Sequence, residues 1–74
     1  MSKIIVLDLE LIGNNIKVAR GFKGYTQKQF SEVIGTSSPT LGCIERGETV
    51  PKLDVMVNIA AKTDKHIGWF IEKH

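Results

Sequence analysis

The sequence predicts an all-α domain of five short helices, the second and third set as a helix-turn-helix. Three observations lead there. Gly24, Gly35 and Gly47 each follow a segment with helical periodicity, and each suits the left-handed residue that stops a helix. Thr26 and Gln29 form the Thr-x-x-Gln pattern of a capping box, in which each side chain satisfies the other residue's free backbone N–H. Residues 26–47 read as two short helices joined by a tight turn, the second opening on a run of small polar residues.

Taken in order, residues 1–8 form an N-terminal arm and residues 9–73 the helical domain. Within the arm, Lys3-Ile4-Ile5-Val6-Leu7 is a β-branched run with strand propensity. A lone strand has nothing to pair with in a helical domain. A short strand paired with a two-fold mate and a packed, extended arm therefore both stay open. Helix one should run from about Leu9 to Lys23, with Ile12, Ile16 and Ala19 on one face. Helix two begins after Thr26 and buries Phe30, Val33 and Ile34. Gly35-Thr36-Ser37 is the turn. Helix three takes Ser37 as its cap and tolerates Pro39, because the first turn of a helix has no partner for that N–H. Its Leu41 and Ile44 face inward, and Pro51 breaks the chain after Gly47. Helix four, about Leu53 to Lys62, offers Leu53, Met56, Val57, Ile59 and Ala60 to the core. Helix five, His66 to about Lys73, offers Ile67, Phe70 and Ile71.

A chain of 74 residues makes one domain. Its single cysteine, Cys43, cannot form an internal disulfide, which fits a reducing cytosol. No apolar run is long enough to span a bilayer. Ile4 to Leu7 is too short for the core of a secretory signal, and Asp8 and Glu10 follow at once, so a cytoplasmic protein is expected. A net charge of +2 permits nucleic-acid binding without arguing for it. His66 and His74 lack partners at metal-ligand spacing. There is no glycine-rich phosphate loop, carboxylate pair or nucleophile motif, so neither an enzyme nor a cofactor is expected.

The run Ile16-Lys17-x-Ala19-Arg20, then Lys23-Gly24-Tyr25-Thr26-Gln27, Gly35-x-Ser37, Ile44-Glu45-Arg46-Gly47 and Pro51 resembles the lambda-repressor-like, Cro-type helix-turn-helix DNA-binding family. The resemblance covers about Ile12 to Ile71. It implies a five-helix domain whose third helix enters the DNA major groove. It implies a structural ion pair between Arg20 and Glu45, joining helix one to that recognition helix. Gln27 would bind a phosphate or a base beside it. Ser37, Ser38, Pro39, Thr40, Gly42 and Cys43 would occupy the face presented to the groove, and Arg46 would lie by the DNA backbone. Members commonly bind operators as homodimers. Two places depart from the family pattern: Ser31 stands where alanine is usual, and Thr63-Asp64-Lys65 replaces leucine-glycine-valine.

The candidate residues carry distinct chemistry. Gln27 sits where helix-terminal N–H groups favour an anion, as a phosphate clamp or as a plain start residue. Ser37 and Ser38 can cap the helix and touch phosphate or base edges. Thr40 can bond a phosphate or place its methyl near a thymine. Cys43 can meet a thymine methyl or simply fill space. Gly42 costs a helix about 1 kcal/mol against alanine, so either DNA or a neighbouring helix comes close, or no side chain is needed there. Lys17, Lys23, Lys28, Arg46 and Lys52 are the cations available to flank a groove. No Arg, Lys, Asn or Gln lies between Ser38 and Cys43, so base readout should lean on Gln27, methyl contacts, water and DNA shape. Trp69 is the candidate dimer surface and Phe70 a core residue. These features lead to a sequence-specific regulator of prokaryotic or phage type, in its plainest form a repressor. Its expected partners are double-stranded DNA and a second copy of itself, with no membrane. The alternative is a helix-turn-helix protein-interaction module or antitoxin with little intrinsic specificity, for which a partner such as a toxin stays open.

Overall fold

The computed structural model describes residue 4 and residues 6–74. Four α-helices follow one another: α1 Leu9–Phe22, α2 Gln27–Ile34, α3 Ser38–Glu45 and α4 Leu53–Thr63. A short 3-10 helix, Ile67–Ile71, closes the chain. The described residues contain no strand. The strand considered for Lys3 to Leu7 includes residues 3 and 5, which lie outside the described residues. No helix among the described residues is long and apolar enough to cross a membrane.

Local chemistry sets each boundary. The Asp8 carboxylate accepts from the Leu11 N–H at 3.1 Å and starts α1. The capping box is complete: Gln29 N–H donates to Thr26 Oγ1 at 3.1 Å, and Thr26 N–H donates to Gln29 Oε1 at 3.0 Å. Gly35, at φ 80°, turns the chain out of α2 in a conformation a β-carbon would strain. Gly24 and Gly47 also take positive φ, at 76° and 75°. Ser37 caps α3 through the Thr40 N–H at 3.2 Å.

The fifth element differs from expectation. Five residues long, it forms a 3-10 turn instead of a fifth α-helix. Its cap, His66, makes no side-chain hydrogen bond, Gly68 lowers helix propensity, and Phe70 is its one buried residue. The turn before it is sound even without glycine. Asp64 takes the left-handed conformation at φ 57°, which aspartate tolerates better than most residues. Buried Thr63 satisfies its hydroxyl on the Ile59 carbonyl at 2.7 Å.

Ile12, Ile16, Ala19, Phe30, Ile34, Leu41, Ile44, Val55, Ile59, Ala60 and Phe70 form one core. Several residues expected to point inward do not. Val33, Leu53, Val57, Ile67 and Ile71 are exposed, while Val55 is buried. In α4 apolar residues occur all round the helix, so periodicity alone cannot choose the packed face. Ser31 is buried and donates to the Lys28 carbonyl at 2.8 Å, which lets a hydroxyl sit in an apolar position.

Two contacts between elements fix α1. Buried Asn15 donates through Nδ2 to the Phe70 carbonyl at 2.9 Å and the Glu72 carbonyl at 2.8 Å, tying α1 to the C-terminal turn. On the other side, α1 meets the end of α3 at Gly13. A β-carbon there would lie 2.4 Å from the Ile44 carbonyl oxygen and 2.6 Å from that of Glu45. Only glycine permits so close an approach of two backbones.

Candidate nucleic-acid interface

The candidate surface is built on a buried polar lock. Arg20, in the last turn of α1, donates through Nε to Glu45 Oε2 at 2.7 Å and through Nη2 to Glu45 Oε1 at 3.2 Å. Its Nη1 donates to the Tyr25 carbonyl at 2.9 Å. Gln27, the first residue of α2, donates through Nε2 to Glu45 Oε1 at 2.8 Å. One carboxylate thus gathers α1, α2 and α3. A buried charge is tolerable only when paired and hydrogen-bonded, and Glu45 is both. Sequence reasoning named the Arg20–Glu45 pair but missed that Gln27 shares it. One Nε2 hydrogen and the Oε1 acceptor of Gln27 are not used by that bond.

Around the lock, α3 opens to solvent. Ser37, Pro39 and Thr40 are exposed, Ser38 and Cys43 half-buried. The Ser37 hydroxyl lies 2.8 Å from that of Thr40, so these two side chains hold each other. Gln27 and Lys28, at the start of α2, are also exposed. Lys23 is less free than expected, since Asp64 Oδ2 accepts from its Nζ at 2.6 Å.

Gly42 is buried, yet no core side chain is among the nearest atoms that a β-carbon there would meet. The group that comes close is the guanidinium of Arg46: a β-carbon on Gly42 would lie 3.1 Å from Nη1. Arg46 Nη2 also reaches Cys43 Sγ at 3.5 Å. A second carboxylate grips this arginine. Arg46 Nε donates to Glu48 Oε2 at 2.7 Å and Nη2 to Glu48 Oε1 at 3.4 Å. The hydrogen bond from Arg46, then its charge, holds the Glu48 carboxyl below the usual carboxylate range, and Glu48 raises Arg46 in return. Glu48 was not singled out from sequence, because nothing in the string shows that a residue past a left-handed turn folds back onto α3.

Trp69 packs edge-to-face on Phe70 at 5.1 Å and leans on the core. The His74 ring stacks on it at 4.2 Å, and Lys65 Nζ sits 4.4 Å from its ring centre.

Residues 16–70 match the helix-turn-helix family. The chain belongs to this family of DNA-binding transcriptional regulators. It is 37% identical over 54 residues to the uncharacterized HTH-type transcriptional regulator YazB of Bacillus subtilis, covering 73% of this chain and 78% of that protein. The N-terminal DNA-binding domain of SinR from Bacillus subtilis superposes with a TM-score of 0.78 at 26% identity, covering 86% of this chain and 94% of that one. The restriction-modification controller protein C.AhdI from Aeromonas hydrophila shares the fold, with a TM-score of 0.78 at 24% identity over 85% of this chain and 96% of its own.

Proposed function

We propose that this protein is a sequence-specific repressor that binds a palindromic operator as a homodimer. Gln27, Lys28, Ser37, Ser38, Pro39, Thr40, Gly42, Cys43 and Arg46 form the face turned to DNA. The observation that carries this reading is the Arg20–Glu45–Gln27 lock, which fixes the start of α2 against the end of α3 and leaves the outer side of α3 uncovered. Gln27 keeps a donor free for a phosphate, the kind of contact that sets register on the duplex. The family membership and the regulator relatives support the same reading.

Dimerisation is supported by an apolar groove of about 220 Å³, whose lining includes Leu7, Val50, Leu53, Met56, Ile67 and Ile71. Five of these six side chains are exposed in the single chain, and contiguous exposed apolar surface marks an interaction site. Two copies joined there would present two α3 helices to successive major grooves, roughly 34 Å apart. A dimer of this kind represses by occupying the promoter. Trp69, with Lys65 and His74 against it, does not line this groove but a second hollow that shares Ile71 with it.

Selection from a random-sequence duplex pool tests the proposal. One enriched palindrome, two chains bound per site, and affinity falling linearly in logarithmic salt are the expected results. Gln27→Ala should weaken binding to that site and, through loss of the hydrogen bond to Glu45, lower the melting midpoint slightly, while leaving the domain folded. The second reading, a protein-interaction module or antitoxin, draws on the absence of Arg, Lys, Asn and Gln between Ser38 and Cys43. A pool that yields no preferred site would favour it.

A further inference from the structure

Arg46, Gly42, Cys43 and Glu48 form one device on the outer side of α3. Arg46 is the residue after the last of α3, yet its guanidinium lies a full turn back, over Gly42. Side chains on a helix lean toward its N-terminus, so an arginine rooted at the end is delivered to the middle. Gly42 makes the seat: a β-carbon there would stand 3.1 Å from Nη1, a tight contact that the guanidinium would relieve by giving way a few tenths of an ångström. Glu48 occupies the Nε–Nη2 edge of the fork. The remaining contact, Nη2 to the Cys43 thiol at 3.5 Å, is weak. Among the described residues, Nη1 has no hydrogen-bond partner.

We propose that Arg46 reads guanine in the major groove, seated by Gly42 and aimed by Glu48. The proposal rests on the DNA-binding reading above and deepens it. Arginine donating two bonds to guanine O6 and N7 is the commonest specific contact in protein–DNA complexes, and the chain's other arginine, Arg20, is held on Glu45. The alternative use of Arg46, on a phosphate, fits poorly. A phosphate rewards free positive charge through counterion release, and Glu48 neutralises that charge. A guanine edge carries no charge and rewards direction. A carboxylate on one edge of the fork discards charge but keeps the direction of the other donors. Glu48 and Gly42 act through Arg46 and are positioning residues.

The test compares base-preference profiles of the full chain and four variants from the random-duplex selection, with salt titrations on the enriched site. Wild type should require a guanine in each half-site. Arg46→Lys keeps the charge without the fork. It should cut the preference at that guanine by about 5- to 150-fold and leave the salt slope unchanged. Gly42→Ala should weaken the same preference without abolishing it, while melting no lower than wild type, since alanine favours the helix. Glu48→Gln should relax the preference and raise affinity for random DNA. A preference that survives Arg46→Lys overturns the proposal. So does an Arg46→Ala variant that loses affinity equally on all sequences, with a salt slope shallower by about one, the mark of a phosphate contact. Wild type with no preferred site overturns the regulator reading as well, whereas a preferred site indifferent to Arg46 overturns only the guanine assignment.

Discussion

Glu45 and Arg46 are neighbours in the chain, and each belongs to an arginine–glutamate pair with the same 2.7 Å Nε–Oε2 contact. Their surroundings are opposite. In the first pair the side chains of Arg20 and Glu45 are 14% and 3% exposed; in the second, Arg46 and Glu48 are 59% and 55% exposed. The first carboxylate also holds Gln27, and its arginine also holds the Tyr25 carbonyl. Among the described residues, the second pair's side chains hydrogen-bond, apart from each other, to the Cys43 thiol alone. One bond geometry therefore serves as scaffold where water is excluded and stays open to solvent where it is not. Water decides the difference. A buried charge left without its partner has nothing to replace it, whereas an exposed one is solvated at once.

The largest expected effect follows from breaking the buried pair. Glu45→Ala leaves Arg20 unpaired and releases Gln27, and should cost about 3–5 kcal/mol. Chemical denaturation should show the midpoint falling sharply; an unchanged midpoint would erase the contrast between the two pairs. Next comes the platform beneath Glu45. Gly13→Ala drives a methyl into the Ile44 and Glu45 carbonyls and should destabilise by about 1–3 kcal/mol. Gly21→Ala, on the same helix with nothing within 4 Å, should instead stabilise by up to roughly 1 kcal/mol. Equal melting shifts for the two variants would mean that the close approach of α1 to α3 is absent in solution.

The exposed pair predicts a smaller response. Arg46→Ala and Glu48→Ala should each leave the thermal melting midpoint close to that of wild type. A loss as large as that of Glu45→Ala would make both pairs structural. The smallest effect concerns pH. Glu48 is held below its ordinary value by the hydrogen bond from Arg46, so its contribution is present above the unfolded carboxylate range and fades as pH falls through the lowered value. Titration of the Glu48 carboxyl by NMR should give a midpoint below that of a free glutamate, returning to the ordinary range in Arg46→Ala. High salt should weaken this pair first.

Much of the scaffold was legible because it is written locally. The Thr26–Gln29 box, the Ser37 cap with Pro39 behind it, and the left-handed glycines each need only a few adjacent residues, and all appear where expected. The packed faces were less legible. Leu53 and Val57 look like core residues but are exposed, because α4 carries more apolar side chains than one face can use. Of the site, the Arg20–Glu45 pair could be named from its motif. That Gln27 joins it depends on how α2 crosses α3, which no short-range pattern encodes. Gly13, Gly21 and Gly42 give the same signal in the string, a glycine inside a helix. One meets a backbone, one meets nothing, and one seats a side chain. The cost of such a glycine is visible in the sequence, whereas its reason is visible only in three dimensions.

The contact at Gly13 has a mechanical meaning. Between most packed helices, side chains act as springs, rotating to absorb a strain. At Gly13, α1 rests on the carbonyls of α3 with no side chain of its own between them. The outer helix is thus mounted stiffly, as a tooth on a gear. In the proposed complex, a site whose twist or spacing is slightly wrong cannot be met by tilting α3. The duplex must yield instead, and its reluctance to bend becomes a measure of how well the site fits.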